Sequence, residues 1–159
     1  MADIKIFTDG GCSGNPGPGA WSFIILKRSF QLQNSGSVAS TTNNRMELTA
    51  VISALIEIEG RPELQQSKID LYTDSRYVQR GISEWIDKWK RNGWLTVSKK
   101  PVKNQDLWKK LKVLSGTMKI NWHWVEGHSG HEFNERCDRL VQEEIKKIKY
   151  KSSASQNPL

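Results

Sequence analysis

The chain reads as an α/β fold built from three early strands and two later ones, each of the later pair reached through helical sequence. Two observations carry that reading. Apolar residues alternate with a period of two in short segments and recur at the helical period in longer ones. In addition, Ile4-Lys5-Ile6-Phe7-Thr8-Asp9-Gly10 and Ile69-Asp70-Leu71-Tyr72-Thr73-Asp74-Ser75 share one plan: an apolar run, an aromatic residue, Thr-Asp, then a small residue. Each reads as a strand that delivers a carboxylate at its C-terminal end. If the two strands are neighbours, Asp9 and Asp74 face each other closely, and such a pair repels unless a proton or cation sits between them.

Ile4–Thr8 is the first strand, followed by the loop Gly10–Gly19, too rich in Gly and Pro for a helix or a central strand. Ala20–Leu26 is the second, with Trp21, Phe23 and Ile25 on one face and Ser22, Ile24 and Leu26 on the other. The more polar Phe30–Val38 is an edge strand. A helix then opens with Asn44 as N-cap and Glu47 three residues on, as in a capping box, and Leu48, Val51, Ile52 and Leu55 form its core stripe. Gly60-Arg61-Pro62 ends it, and Ser67–Thr73 is the fourth strand. Helical signals fill Ser75–Ser115, broken near Gly93 and by Pro101. Thr117–Val125 alternates Met118, Ile120, Trp122 and Trp124 against Lys119, Asn121, His123 and Val125. The last helix aligns Phe133, Cys137, Leu140, Val141, Ile145 and Ile148. Residues 150–159 lack apolar periodicity and read as a disordered tail after a single domain over residues 1–149.

At 159 residues the chain is long enough to bury a sizeable core. Its longest apolar stretch, Trp21–Leu26, is far too short to span a bilayer. Cys12 and Cys137 are too few for a disulfide framework, which points to a reducing cytoplasmic setting and structural thiols. Twenty-four Lys+Arg against seventeen Asp+Glu, with a pI near 9.5, suit a polyanionic partner such as nucleic acid.

Four acids stand out by position. Asp9 and Asp74 end strands, Glu47 lies in the first turn of a helix beside its apolar stripe, and Asp138 follows Cys137 on the last helix. Each has an ordinary explanation taken singly, as a turn aspartate or a helix-flank acid. Together they form an all-oxygen set without a Cys or His cluster, which suits Mg²⁺ or Mn²⁺ rather than zinc.

Five segments in order, Thr8-Asp9-Gly10-Gly11-Cys12-Ser13-Gly14-Asn15-Pro16-Gly17-Pro18-Gly19, Thr41-Thr42-Asn43-Asn44-Arg45-Met46-Glu47-Leu48, Thr73-Asp74-Ser75, Gly127-His128-Ser129-Gly130-His131 and Asn134-Glu135-Arg136-Cys137-Asp138, closely resemble type 1 ribonuclease H over residues 3 to about 149. The resemblance implies a ribonuclease H-like fold, a mixed five-stranded sheet flanked by helices with a basic helical protrusion. It implies an enzyme that cleaves the RNA strand of RNA–DNA hybrids and leaves 5′-phosphate and 3′-hydroxyl ends. Asp9, Glu47, Asp74 and Asp138 would be catalytic metal ligands for two Mg²⁺ ions about 4 Å apart, with Mn²⁺ as the alternative. His128 would be the histidine that shuttles a proton or assists product release. The enzyme would be a monomer, with no membrane partner.

The same resemblance assigns substrate contacts. Cys12 (through its backbone), Asn15, Asn43 and Asn44 would meet the minor groove and its 2′-hydroxyls, and Ser75 would contact substrate beside Asp74. Thr42 and Asn104 match a pocket for a DNA phosphate. Trp85, Lys88, Lys90, Arg91, Lys99 and Lys100 belong to the protrusion that grips the DNA strand, where residues 87–104 hold six basic residues and one acid. Trp85 and Trp108 also suit core packing. Two positions depart from the pattern: Ser40 stands where a basic residue is common, and Glu126 where lysine is. Two rival readings are a catalytically dead hybrid-binding module and an aspartate-nucleophile phosphohydrolase. The four acids oppose the first; the second needs an acid at position 11, which is Gly11.

Overall fold

The computed structural model describes residues 3–28, 30–126 and 131–156, with the backbone alone described for 151–156. The strands are β1 (Ile4–Cys12), β2 (Gly17–Lys27), β3 (Phe30–Thr41), β4 (Lys68–Thr73) and β5 (Lys119–Trp124). Helices α1 (Asn43–Glu59), α2 (Arg76–Arg80), α3 (Ile86–Arg91), α4 (Gln105–Ser115) and α5 (Glu132–Gln156) join or flank them, with a π turn at Gly81–Trp85 between α2 and α3.

The five strands form one sheet in the order β3-β2-β1-β4-β5. β1, β2 and β3 pair antiparallel, whereas β4 runs parallel to both β1 and β5, so the sheet is mixed. The alternation read in β2 holds: Phe23 and Ile25 join the main core with α1, and Ile24 packs on the opposite face with Phe7 and Cys137. Helix α1 buries Leu48, Val51, Ile52 and Leu55 as its periodicity requires, together with Ala50, Ala54 and Ile58. Helix α5 covers the other face through Cys137, Val141 and Ile145.

Several boundaries differ from the sequence reading, among them β2, which begins at Gly17 rather than Ala20, and β5, which spans Lys119–Trp124 rather than Thr117–Val125. β1 continues through Gly10 and Gly11 to Cys12: Gly10 is needed where α1 presses on the strand, since a Cβ there would strike the α1 backbone at Met46 and Glu47, and Gly11 faces Val141 of α5. β3 extends to Thr41 rather than stopping at Val38. The N-cap of α1 is Thr42, whose hydroxyl accepts from the Arg45 amide at 3.3 Å, and Asn44 sits inside the first turn. Glu47 therefore closes no capping box. Its carboxylate accepts instead from the Gly10 amide at 3.2 Å. Finally, the backbone of α5 stays helical to Gln156, past Tyr150, since extending a nucleated helix costs little even without an apolar stripe.

Candidate active site

Parallel pairing of β1 with β4, in register at Thr8 and Thr73, brings the next residue of each strand, Asp9 and Asp74, to one end of the sheet. Glu47 reaches the same point from α1. One carboxylate oxygen from each of the three lies within 4.8 Å of the others. Asp9 and Glu47 are only 5% exposed, so two of these charges are held almost out of water. Burial first, then the charges of Asp74 and Asp138, pushes the Asp9 carboxyl from 3.8 up to about 8. Burial, then Asp9 and Asp74, drives Glu47 well above the usual carboxylate range.

Asp138 is not one of that close trio, but its charge acts on Asp9 from α5. Its helix turn is pinned from both sides of Cys137. The thiol donates to the Phe7 carbonyl at 3.4 Å, and Ser22 Oγ donates to the Cys137 carbonyl at 2.8 Å. Burial lifts the Cys137 thiol to about 12, which makes it an inert packing group, as the sequence suggested.

The trio passes a direct test of fitness for a metal. Glu47 Oε2 is buried and has no hydrogen-bond partner within the described residues. An unsatisfied buried carboxylate oxygen is expensive unless a proton or a cation takes it, and a cation would satisfy Asp9 and Glu47 together. All donors are oxygens, so the cluster suits a hard divalent ion. His128 lies outside the described residues.

The substrate residues named above lie in the β1–β2 turn, at the starts of α1, α2 and α4, and in and after α3. Asn15 Oδ1 accepts from the Asn43 amide at 3.1 Å, which ties the β1–β2 turn to the start of α1. The Cys12 thiol donates to the carbonyls of Gly17 and Thr41 at 3.2 Å each, and this leaves its role in the fold structural. Ser75 caps α2 by accepting from the Val78 amide at 3.1 Å. Asn104 adopts a left-handed backbone (φ 59°) at the head of α4 and donates to the Tyr77 hydroxyl at 3.1 Å, which also accepts from the Trp108 indole at 2.9 Å. Trp108 is fully buried, and Trp85 is half-buried against Tyr77 and Trp89. Lys88, Lys90, Arg91, Lys99 and Lys100 are all exposed, the last two at the tip of a turn closed by the Thr96 amide donating to the Lys100 carbonyl at 2.7 Å.

Two residues without a role in the sequence reading support the site. Arg45 donates to Asn104 Oδ1 at 3.2 Å and forms a two-pronged pair with Asp106 at 2.9 and 3.1 Å, so it joins the start of α1 to the start of α4. Trp124 Nε1 donates to the Asp74 carbonyl at 3.2 Å, while the Arg76 guanidinium lies 4.0 Å over its ring. Neither was readable without the strand register and helix packing that create it, although Arg45 stands in the most distinctive motif of the chain.

The family model described as RNase H matches residues 1–146. The chain belongs to the ribonuclease H family. It is 51% identical to Ribonuclease H of Brucella anthropi over 94% of both chains, and 51% identical to Ribonuclease H of Rhodopseudomonas palustris over 96% of this chain and 98% of that one. Among solved structures, it is similar to LC9-RNase H1, a type 1 RNase H with the type 2 active-site motif, at 27% identity and a TM-score of 0.79, covering 93% of this chain and 74% of that one. It is also similar to LC11-RNase H1 in complex with RNA/DNA hybrid, at 26% identity and a TM-score of 0.70, covering 91% of this chain and 97% of that one. As a ribonuclease H the chain is an enzyme, a nuclease of the hydrolase class. Ribonucleases H use divalent metals, and the trio of Asp9, Glu47 and Asp74 is a group that could hold one. Among the described residues no helix is long and apolar enough to cross a membrane.

Proposed function

We propose that residues 1–149 form a monomeric cytoplasmic endoribonuclease that cuts the RNA strand of RNA–DNA hybrids through Asp9, Glu47, Asp74 and Asp138. The single observation that supports this most is the convergence of three carboxylate oxygens within 4.8 Å where the parallel pairing of β1 with β4 ends. When bound, two Mg²⁺ ions would lower the pKa of the attacking water and offset the charge that develops on the leaving oxygen.

The chain's own residues do the rest. Asp9 and Glu47, nearly water-free, hold their carboxylates fixed before substrate arrives, so little reorganisation remains at reaction. The Gly10 amide fixes one Glu47 oxygen and leaves the other turned to the site. Trp124 holds the backbone at Asp74. Asp138 contributes its charge from the α5 side, and His128, which precedes that helix in the sequence, would take up or return a proton. Asn15, Asn43, Asn44 and the Cys12 backbone would meet the minor groove, where a 2′-hydroxyl is the group that separates RNA from DNA. Ser75 borders the site beside Asp74. Thr42 and Asn104 would receive a DNA phosphate, and the exposed Lys88, Lys90, Arg91, Lys99 and Lys100, with Trp85, would track the DNA backbone. The test is cleavage of a hybrid across a Mg²⁺ titration with analysis of the ends. The reading requires metal-dependent products that carry 5′-phosphate and extendable 3′-hydroxyl groups; 3′-phosphate ends or full activity in EDTA would overturn it.

A further inference from the structure

Residues 86–116 carry nine Lys and Arg and two acids. Both acids are already engaged, Asp87 by Lys112 at 2.9 Å and Asp106 by Arg45 at 2.9 Å. The segment therefore presents a net positive surface. Between α3 and the C-terminal half of α4, that surface opens into a groove of about 510 Å³ lined by Lys90, Trp94, Lys109, Lys112, Val113 and Gly116. Helix α4 buries Trp108, Leu111 and Leu114 as an amphipathic helix should, yet Val113 on its outer side is 74% exposed. Lys109 Nζ lies 5.6 Å from the centre of the Trp94 ring, so one groove wall is an indole with an ammonium over it.

The groove is remote from the catalytic end. Val113 stands nine residues along from Asn104, roughly 13 Å at the helical rise, and away from the Arg45 contact that joins α4 to the site. Its chemistry also differs from a phosphate track. A phosphodiester backbone wants donors and water, and it gains nothing from an exposed valine beside a glycine. An aliphatic or aromatic side chain would cover Val113 and Trp94, and its neighbouring carboxylates would meet the lysines at the rim.

We propose that this groove docks an acidic segment of a partner protein, with a large apolar side chain seated on Trp94 and Val113 and carboxylates facing Lys109. The surface adjoins the hybrid-binding one at Lys90, so a partner held there stays tethered to an enzyme engaged on nucleic acid. The probe is a fluorescein-labelled peptide with two central leucines between blocks of aspartate, measured by anisotropy on the full chain. Val113→Glu and Lys109→Glu should each weaken peptide binding about tenfold, Val113→Leu should retain it, and hybrid cleavage should be unchanged in all three. The same peptide with serines for the leucines should also bind about tenfold more weakly. Equal binding by the serine peptide, or by both charge variants and the parent, would overturn the proposal. So would a loss of hybrid affinity in Val113→Glu, because the groove would then belong to the nucleic-acid surface.

Discussion

Replacing Asp9 by Asn should stabilise the metal-free protein even as it ends cleavage. The Asp9 carboxyl is pushed from 3.8 to about 8 by burial and by its acidic neighbours. Between those values the folded protein holds a proton that the unfolded chain has released, so stability falls as pH rises through this window and levels off above about 8. At pH 7 roughly three units of the window have been crossed, and at about 1.4 kcal/mol per unit keeping the proton that the unfolded chain releases costs up to about 4 kcal/mol. Asparagine keeps the shape and removes the charge, but its amide needs partners, so a net gain of about 2 kcal/mol is the expectation. For a domain of this size that gain is about 4–8 °C in Tm. The assay is urea unfolding of parent and Asp9→Asn in EDTA at pH 7 and again at pH 4.5. The gap should shrink to below about 1 kcal/mol at the lower pH, where less than one unit of the window is open. An equal gap at both values, or a variant less stable than its parent at pH 7, would refute the electrostatic account of the cluster. Saturating Mg²⁺ should also narrow the gap, since a cation held by the parent offsets the same repulsion.

Three further outcomes follow from the packing and the charge. Gly81→Ala drives a Cβ into the buried Trp108 indole and should lower the urea midpoint by an amount equal to about 1–3 kcal/mol. Trp124→Phe removes the donor to the Asp74 carbonyl and should reduce kcat severalfold with KM nearly unchanged; a change in KM alone would count against its positioning role. Lys90→Gln should weaken hybrid binding without altering which strand is cut, and should reduce the slope of log affinity against log salt by about one.

The two Thr-Asp strands were legible because a period of two is a local feature, but only Asp74 ends its strand; Asp9 lies inside β1, which runs on to Cys12. The buried stripe of α1 was legible for the same reason. What local sequence hid were contacts made by close approach. Gly10 and Gly11 resemble loop residues in isolation, but the lack of a side chain at Gly10 lets α1 lie against β1, Gly11 faces Val141 of α5, and Glu47 owes its placement to the Gly10 contact rather than to a cap. Asn44 and Thr42 are both good N-cap residues, and the choice between them rests on Asn15 holding the Asn43 amide. The Arg45–Asp106 pair and the Trp124 bond to Asp74 span 61 and 50 residues, so no short-range pattern carries them.

The most direct measurement is cleavage of an RNA–DNA hybrid labelled separately on each strand, in Mg²⁺, by the parent and by Asp9→Asn, Glu47→Gln and Asp74→Asn. The account predicts that the parent cuts only the RNA label, that free RNA of the same sequence is left nearly intact, and that each variant loses at least about 10²-fold in rate while remaining folded. Cleavage of the DNA label, equal cutting of free RNA, or near-parental rates in the variants would contradict it.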